Sequence, residues 1–303
     1  QRIPVNKEPF NKKSVDKNTT VSKYGQTQMT VVGLISPGQM GASIGAAASH
    51  STTKVIWAGD GRSKASHTRA SDAGLENRGT IDTLVKDSDI ILSVCPPHDA
   101  EDVALQVKQH AFPGLFVDCN AIAPEKSRQI GERFGYQNFV DGGIVGGPAW
   151  KSESGTRLYL SGDRSEEIAA LFGNSPLETT IIPGEIGAAS AMKMVFAAYT
   201  KGTTALLAAI LGVAEKEGVR NVLESQWGQT FTEQTYQRVV ANSAKAWRFE
   251  GEMQEIAATF ENAGLPGGFH TAAAAVFERL AQFKDEPAAE IVEVLKALNQ
   301  PRH

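Results

Sequence analysis

Residues 29–41 read MTVVGLISPGQMG, an apolar run that stops in a turn with two glycines and continues into a segment rich in alanine. The pattern predicts a strand, a tight turn and the start of a helix. Glycine lets a backbone approach a pyrophosphate closely, and the free N–H groups at a helix start bind its negative charge. We therefore predict a dinucleotide-binding turn formed by six consecutive residues: Ser36, Pro37, Gly38, Gln39, Met40 and Gly41.

One position of this turn departs from the dinucleotide fingerprint G-x-G-x-x-G. When Gly38 and Gly41 are aligned with its second and third glycines, Ser36 takes the place of the first. Only two of the three defining positions are then glycine. The interpretation therefore depends on the order of the elements that follow.

After this turn, short apolar runs alternate with amphipathic segments, which is typical of β-α-β units and a parallel sheet. A helix is predicted for residues 39–48. Seven strands are predicted, at residues 30–35, 54–58, 89–95, 115–119, 139–141, 157–160 and 180–182. Residues 29–186 are thus predicted to form a dinucleotide-binding α/β domain with a Rossmann-type doubly wound parallel sheet.

The composition changes beyond residue 186. Residues 188–213 form one long segment rich in alanine, methionine and leucine, and further helical patterns follow at residues 219–226, 229–244, 251–263, 270–283 and 286–298. We predict an all-helical C-terminal domain over residues 187–303. Residues 1–28 are polar and lack the apolar core of a secretory signal, so a disordered tail is predicted there.

Bulk composition disfavours several classes of function. The chain has 303 residues, is 41% hydrophobic and carries a net charge of −4, which gives no basic field for binding nucleic acid. Lys193 and Lys201 interrupt the longest apolar segment, so no membrane span is predicted. Cys95 and Cys119 lie in apolar runs without metal-ligand spacing, which predicts reduced thiols, no metal site and a cytoplasmic location.

The end of the second predicted strand indicates which nicotinamide cofactor binds. An acidic residue about 20 positions beyond the glycine turn bonds to the ribose 2′-hydroxyl of NAD in this fold, and Asp60 has that position. Two residues later, Arg62 and Ser63 offer a guanidinium and a hydroxyl suited to the 2′-phosphate of NADP. We favour NADP, with NAD as the alternative. These residues are simply solvated if no nucleotide binds.

Two further segments have the composition of ligand-binding loops. Residues 141–150 read DGGIVGGPAW, where glycines let a ligand lie against the backbone; a mobile loop is the alternative. Residues 184–193 read GEIGAASAMK, where a glycine turn leads into the long helix. Lys193 shares a helix face with Ala189 and Ala197, in apolar surroundings where a lysine is either catalytic or extends to solvent.

Four motifs, in this order along the chain, resemble those of the β-hydroxyacid dehydrogenase group related to 6-phosphogluconate dehydrogenase. They are the glycine turn, the segment DCNAIAP at residues 118–124, the glycine-rich segment at 141–150 and the helix start that ends at Lys193. The resemblance runs from about residue 30 to 200. It implies hydride transfer between a nicotinamide cofactor and a small hydroxy acid or the matching carbonyl compound.

The resemblance also implies roles for individual residues. Lys193 stands where the family has its catalytic lysine, which implies that it exchanges a proton with the reacting oxygen. The residues implied to line the cofactor are Cys95, Pro96 and Pro97, with Asn120 near the nicotinamide ring. The residues implied to form the substrate site are Gly143, Val145, Gly146, Gly147 and Ala197.

The substrate positions also contain the main departures from the family. Val145 stands where many members carry serine, and Ala197 stands where they carry asparagine, so we expect a more apolar pocket or other substrate-binding residues. The candidate substitutes are Tyr199, Lys201 and Thr203 or Thr204, with ordinary helix packing as the simpler interpretation of each. His270 is either a second acid or base or a structural histidine at a helix start.

Two other functions compete with the leading one. An imine reductase has the same two-domain plan, but that group usually carries aspartate or tyrosine where Lys193 stands, so the lysine favours alcohol and carbonyl chemistry. A non-catalytic NADP-binding protein is suggested by the missing serine and asparagine. In the family a long helix of this kind contributes to a dimer, which implies a homodimer here.

Overall fold

The strands form where the sequence has short apolar runs. The computed structural model describes residues 29–51, 54–284 and 286–301, so the tail predicted at residues 1–28 lies outside the described residues. The strands are β1 (Val31–Ile35), β2 (Lys54–Trp57), β3 (Glu76–Asn77), β4 (Ile90–Ser93), β5 (Leu115–Asp118), β6 (Phe139–Val145), β7 (Arg157–Ser161) and β8 (Glu178–Ile181). The helices among them are α1 (Gln39–Ala48), α2 (Lys64–Asp72), α3 (Ile81–Asp87), α4 (Ala100–Gln109), α5 (Pro124–Phe134) and α6 (Ser165–Leu171).

These strands form one sheet in the order β3-β2-β1-β4-β5-β6-β7-β8. Neighbouring strands are parallel, except that β6 and β7 are antiparallel. The first six strands have the Rossmann order, with the crevice for a dinucleotide where the winding reverses between β1 and β4. The predicted doubly wound sheet is confirmed. β3 was not predicted, because its two residues are polar and exposed.

Apolar side chains cover both faces of the sheet. Along β1, Val32 and Leu34 belong to the core that contains α1, whereas Ile35 belongs to the core that contains α3 and α4. A central strand that is buried on both faces offers no position for a polar residue. The strands therefore read as continuous apolar runs rather than as alternating patterns.

The chain is mainly helical from residue 188 onward. α7 (Ala188–Ala197) continues through one π-helical turn (Ala198–Gly202) into α8 (Thr203–Lys216). The later helices are α9 (Arg220–Trp227), α10 (Gln229–Ser243), α11 (Ala246–Asn262), α12 (Gly268–Arg279) and α13 (Ile291–Leu298). They share a third core, which includes Leu211, Met253 and Phe277. The helical C-terminal region is confirmed, and the boundary at residue 186 stays a prediction.

The helix formed by α7, the π turn and α8 is the longest helix of the described residues, and it is apolar. It has 29 residues, and its length and composition alone would allow it to cross a bilayer. Only 33% of its most apolar window is buried. Val195, Leu206 and Val213 on this helix are exposed. An apolar helix face of this extent favours a covering partner.

Candidate active site

The glycine turn after β1 is closed by a serine with an unusual backbone conformation. Ser36 has a φ of 66°, and its carbonyl oxygen accepts a hydrogen bond of 2.8 Å from the N–H of Gly38. A Cβ on Gly41 would lie 2.3 Å from that oxygen. Ser36 therefore makes the turn expected of the first fingerprint glycine, at a cost of about 1 kcal/mol for a left-handed residue with a side chain.

Gly38 forms the open side of the same turn. It is the N-cap of α1, where the first backbone N–H groups of the helix have no partner inside the helix. A Cβ added to Gly38 would meet no atom within 4 Å. No packing contact therefore requires glycine at this position, and the space in front of it suits the close approach of a pyrophosphate. This turn fits a dinucleotide.

The candidate residues for the adenosine end follow β2. The N–H of Asp60 donates to the carbonyl of Gly79 at 3.0 Å, which holds the turn against the strand edge. The hydroxyl of Ser63 accepts a hydrogen bond of 3.3 Å from the N–H of Ser66, so that it caps α2. Asp60, Arg62 and Ser63 are all exposed. Their side chains are accessible to a ligand.

Arg69 is a residue of this region that sequence reasoning missed. Its Nε donates a hydrogen bond of 3.2 Å to the carbonyl of Pro37, and its guanidinium also donates to the hydroxyl of Ser66 at 3.3 Å. It thus ties α2 to the glycine turn. The sequence offers little indication of this role, because an arginine in the middle of a polar helix is usually a surface residue.

Asn120 has a different role from the predicted one near the nicotinamide ring. It is 2% exposed, and its Oδ1 accepts a hydrogen bond of 2.6 Å from the N–H of Cys95. Its Nδ2 donates to Ser93 at 3.0 Å and to Asp118 at 2.9 Å. Because the amide is satisfied inside the protein, Asn120 joins the ends of β4 and β5 rather than facing the cofactor.

Burial shapes the protonation of the groups around this junction. The pKa of Asp118 is raised to about 7, mainly by burial and also by the nearby carboxylate of Asp141. Burial, with the charge of Asp118, raises the pKa of Cys95 to about 12. Cys95 is therefore a neutral thiol that is a poor nucleophile. Pro96 and Pro97 follow it at the exposed end of β4.

Asp141 anchors the start of α7. Its fully buried carboxylate accepts hydrogen bonds from the hydroxyls of Ser127, Ser161 and Ser190. It also accepts hydrogen bonds of 3.0 Å from the backbone N–H groups of Gly187 and Ser190. A carboxylate at a helix start is favoured by the helix dipole. This cluster fixes the helix that carries the candidate lysine.

Gly143 explains how α7 approaches the sheet so closely. A Cβ at this position would lie 2.5 Å from the carbonyl oxygen of Ala189 and 3.0 Å from the Cβ of Lys193. The residue is buried beneath the helix. The prediction that Gly143 contacts substrate is therefore corrected: its lack of a side chain permits helix packing.

The other predicted substrate positions fall into two groups. Val145 ends β6, so the predicted loop begins later than expected, and Gly146 and Gly147 lie exposed beyond it. Ala197 is 1% exposed and belongs to the helical core. We correct its assignment, because a buried methyl group in that core presents no surface to a ligand. Val145, Gly146 and Gly147 remain accessible candidates.

Lys193 has the electrostatics of a reactive lysine. Burial and the positive charges of Lys201 and Arg248 lower its pKa from 10.5 to about 8, while the negative charge of Glu252 acts in the opposite direction. Within the described ranges, no hydrogen-bond or ion-pair partner is found for its ammonium. A lysine with this pKa is partly deprotonated near neutral pH and can give or take a proton.

α11 packs against α7 and supplies the carboxylates around the half-buried Lys193; this region is called the cleft below. Glu252 forms a largely buried ion pair with Lys201. One turn further along, Glu255 pairs with Lys126 and accepts a hydrogen bond of 2.8 Å from the N–H of Ala123. The helical region is thereby joined to the loop after β5. Sequence reasoning missed both glutamates, since nothing in their spacing distinguishes them from surface residues of an amphipathic helix.

The π turn places Lys201 beside Lys193. In a regular α-helix, residues eight positions apart differ in direction by about 80°. The π turn adds about one residue to a helical turn, which reduces the rotation between the flanking residues by roughly 100°. The two lysines therefore share the side of the long helix that faces α11. π turns within α-helices are frequently found at functional sites.

His270 lies away from this cleft. Its ring packs against Phe260 with the ring centres 4.3 Å apart and the planes tilted by 58°, and burial lowers its pKa. It lines an apolar groove of about 610 Å³ together with Tyr199 and Leu206. These residues lie on the other side of the long helix from Lys193. The structural interpretation of His270 therefore fits better than an acid or base role at Lys193.

Two family models match the chain, and together they cover most of it. The NAD binding domain of 6-phosphogluconate dehydrogenase matches residues 29–172. A domain of unknown function, DUF1932, matches residues 208–280. The first match contains the glycine turn and strands β1 to β7, and the second lies within the helical region.

Similar proteins agree with this arrangement. An uncharacterized 28.5 kDa protein of Methanothermus fervidus is 30% identical over 202 residues, which are 65% of this chain and 77% of the relative. The solved structure of conserved protein MTH1747, a protein of unknown function reported to resemble 3-hydroxyacid dehydrogenases, is 26% identical with a TM-score of 0.62, covering 83% of this chain and 97% of that one.

More distant structures share the fold. A 3-hydroxyisobutyrate dehydrogenase of Mycobacterium tuberculosis is 17% identical with a TM-score of 0.64, over 90% of this chain and all of that one. A reductive aminase of Aspergillus terreus is 13% identical with a TM-score of 0.50, over 89% and 99% of the two chains. The chain belongs to a divergent hydroxyacid dehydrogenase-like family of dehydrogenases and reductases, with a 6-phosphogluconate dehydrogenase-type NAD-binding domain and a helical C-terminal region.

Proposed function

We propose that this protein is an NADP-dependent oxidoreductase that transfers a hydride between the nicotinamide ring and a small hydroxy acid or its carbonyl counterpart. Lys193 is proposed as the group that exchanges a proton with the reacting oxygen. The observation that carries the proposal is the ammonium of Lys193, which has no ion-pair partner among the described residues and lies on α7, packed against β6 and α11, with its pKa lowered to about 8.

The chemistry follows from where charge develops. The bound cofactor supplies or accepts the hydride. Reduction of a carbonyl builds negative charge on its oxygen, and a desolvated ammonium stabilises that charge and then donates its proton. In the opposite direction, the neutral amine of Lys193 takes the proton of the hydroxyl group. Asp141 and Gly143 act on this step indirectly, because they set the position of α7.

NADP is proposed over NAD on the basis of the turn after β2. Arg62 and Ser63 are exposed there, and a guanidinium can bind a 2′-phosphate with two hydrogen bonds. Asp60 next to them supports NAD as the alternative. Fluorescence titration with NADPH and NADH decides between the two. A tighter dissociation constant for NADH would overturn the role proposed for Arg62.

Reduction of imines is the main rival within this fold. The reductive aminase has the same overall fold, which carries no information about substrate at 13% identity. Lys193 argues for the carbonyl reaction, since a lysine suits a developing alkoxide. The test is a screen of hydroxy acids, aldehydes, ketones and imines with the preferred cofactor. Turnover of imines alone would refute the proposal.

A protein that binds NADP without catalysis is the rival from another class. It predicts cofactor binding without turnover of any compound in the screen. In contrast, our proposal predicts turnover that Lys193→Ala reduces at least about a hundredfold, with an unchanged dissociation constant for NADPH. If Lys193→Ala retained full activity on every accepted substrate, the catalytic assignment would be wrong.

A homodimer is proposed from the exposed apolar face of the long helix. Val195, Leu206 and Val213 are exposed along it, and the groove lined by Tyr199 and Phe269 lies beside them. Burying such a surface against a second copy removes it from water. Light scattering tests the proposal, since a mass of one 32.4 kDa chain would count against it.

A further inference from the structure

One face of α11 borders the cleft of Lys193. Arg248, Glu252 and Glu255 are spaced by four and three residues, which places them on the same side of a helix. The direction of that side is known from its contacts, because Glu252 pairs with Lys201 of the long helix and Glu255 pairs with Lys126 of α5. Arg248 therefore continues the row of charged residues along the cleft.

The charges in this row are not balanced. Both glutamates are used in ion pairs with lysines. α11 also packs against the turn after β4, where the Oδ1 of Asp99 lies 3.6 Å from the Nε2 of His98. Arg248 is exposed and has no carboxylate within ion-pair distance in the part of the chain that the structure describes.

Among the described residues, two cations near this cleft thus lack a carboxylate partner: the ammonium of Lys193 and the guanidinium of Arg248, whose Cζ lies 5.9 Å from the centre of the Trp247 ring. The positive charge of Arg248 acts on both Lys193 and Glu252, so it lies in their neighbourhood. Excess positive charge beside a partly desolvated cleft attracts an anion. A guanidinium is also the side chain best suited to hold a carboxylate or phosphonate with two hydrogen bonds.

We propose that Arg248 binds an oxyanion group of the substrate while Lys193 faces the reacting oxygen. The substrate would be a small hydroxy or oxo compound with a carboxylate or phosphonate group near the reacting carbon. This inference rests on the proposed function. It assigns the recognition of the anionic group to α11, because the accessible substrate positions at the end of β6 and beyond it, Val145, Gly146 and Gly147, carry no charged side chain.

The experiment measures binding of a simple oxyanion and does not need the natural substrate. Malonate is titrated calorimetrically into the NADPH-bound protein, with dimethyl malonate as an uncharged probe. Arg248→Gln should weaken malonate binding by about 10-fold to 100-fold, which is the loss expected for hydrogen bonds to a charged group. Binding of dimethyl malonate should be the same in the wild type and the variant.

Two further variants make the test specific. Arg248→Lys keeps the charge but loses the two-pronged geometry, so intermediate affinity is expected. Arg238→Gln, an exposed arginine on α10, is the matched control and should bind malonate like the wild type. Equal malonate affinity of Arg248→Gln and wild type, or no malonate binding by the wild type in the millimolar range, overturns the inference.

Failure of this inference can be told apart from failure of the proposed function. If the wild type binds NADPH and reduces carbonyl compounds while Arg248→Gln binds malonate as tightly as the wild type, only the role proposed for Arg248 is refuted. If the wild type reduces methyl esters of oxo acids as efficiently as the acids, the anionic substrate class is lost as well. Absence of NADPH binding removes the proposed function itself.

Discussion

Replacing Lys193 by methionine should stabilise this protein at neutral pH while it abolishes turnover. Methionine keeps the length and volume of the lysine stem but carries no charge. The charged form of Lys193 is less stable in the folded protein than in the unfolded chain, because burial and two neighbouring cations lower its pKa from 10.5 to about 8. At pH 7 the wild type bears this penalty in full, and the variant does not.

The size of the effect follows from the two pKa values. A difference of about 2.5 pH units, at ~1.4 kcal/mol for each, corresponds to about 3 kcal/mol. Lys193 is not fully shielded from water, so about 2 kcal/mol is the more realistic gain. Between pH 8 and 10.5 the folded wild type binds fewer protons than its unfolded state. Wild-type stability therefore rises relative to the variant across this range, and the gain from Lys193→Met shrinks toward zero near pH 10.5.

The assay is urea unfolding followed by fluorescence, at pH 7 and again near pH 10.5. Lys201→Met is the matched comparison on the same helix. It should destabilise the protein by about 3 kcal/mol at pH 7, because it leaves Glu252 buried without its partner. The reasoning fails if Lys193→Met is no more stable than the wild type at pH 7, or if its gain does not change with pH.

Four other predictions test the site. The efficiency of carbonyl reduction should fall as pH rises through about 8, where Lys193 loses its proton, and a profile without this step would contradict the assignment. Gly38→Ala should leave the melting temperature unchanged but raise the dissociation constant for NADPH at least about tenfold, since only a ligand meets the added methyl group. Gly143→Ala should cost about 1 to 3 kcal/mol in urea unfolding and reduce kcat by pushing α7 off β6, whereas Gly173→Ala, whose added Cβ would make only an ordinary contact at 3.6 Å, should be neutral in both assays. Leu206→Glu should halve the mass seen in light scattering if the exposed face of the long helix forms the dimer, and an unchanged mass would place the interface elsewhere.

Much of the fold follows from local pattern. The apolar runs around Val32, Ile91 and Val117 became neighbouring strands because parallel strands buried on both faces tolerate few polar residues. The glycine turn was found for a similar reason, since close approach and a helix start demand particular residues at short spacing. Only β3 was missed, because two exposed residues carry no periodic signal.

The candidate site was predictable only in part. Lys193 was identified through the order of motifs, and its position on α7 agrees with the predicted helix. Asn120 was assigned to the cofactor because a polar residue after a strand commonly faces the ligand crevice. Its amide is instead used by Cys95, Ser93 and Asp118, contacts that depend on how the ends of β4 and β5 meet.

The sequence by itself determined the doubly wound sheet, the helical C-terminal region and the dinucleotide turn, since these depend on periodicity and on residues within a few positions of one another. The tertiary structure decided that Ser36 adopts a positive φ, that Gly143 serves helix packing and that α11 forms a wall of the cleft. The physical reason is distance along the chain. Glu252 lies 51 residues from Lys201, and Glu255 lies 132 residues from Ala123. Such pairs meet only when packing of the two regions brings them together. Local sequence patterns therefore do not predict these contacts.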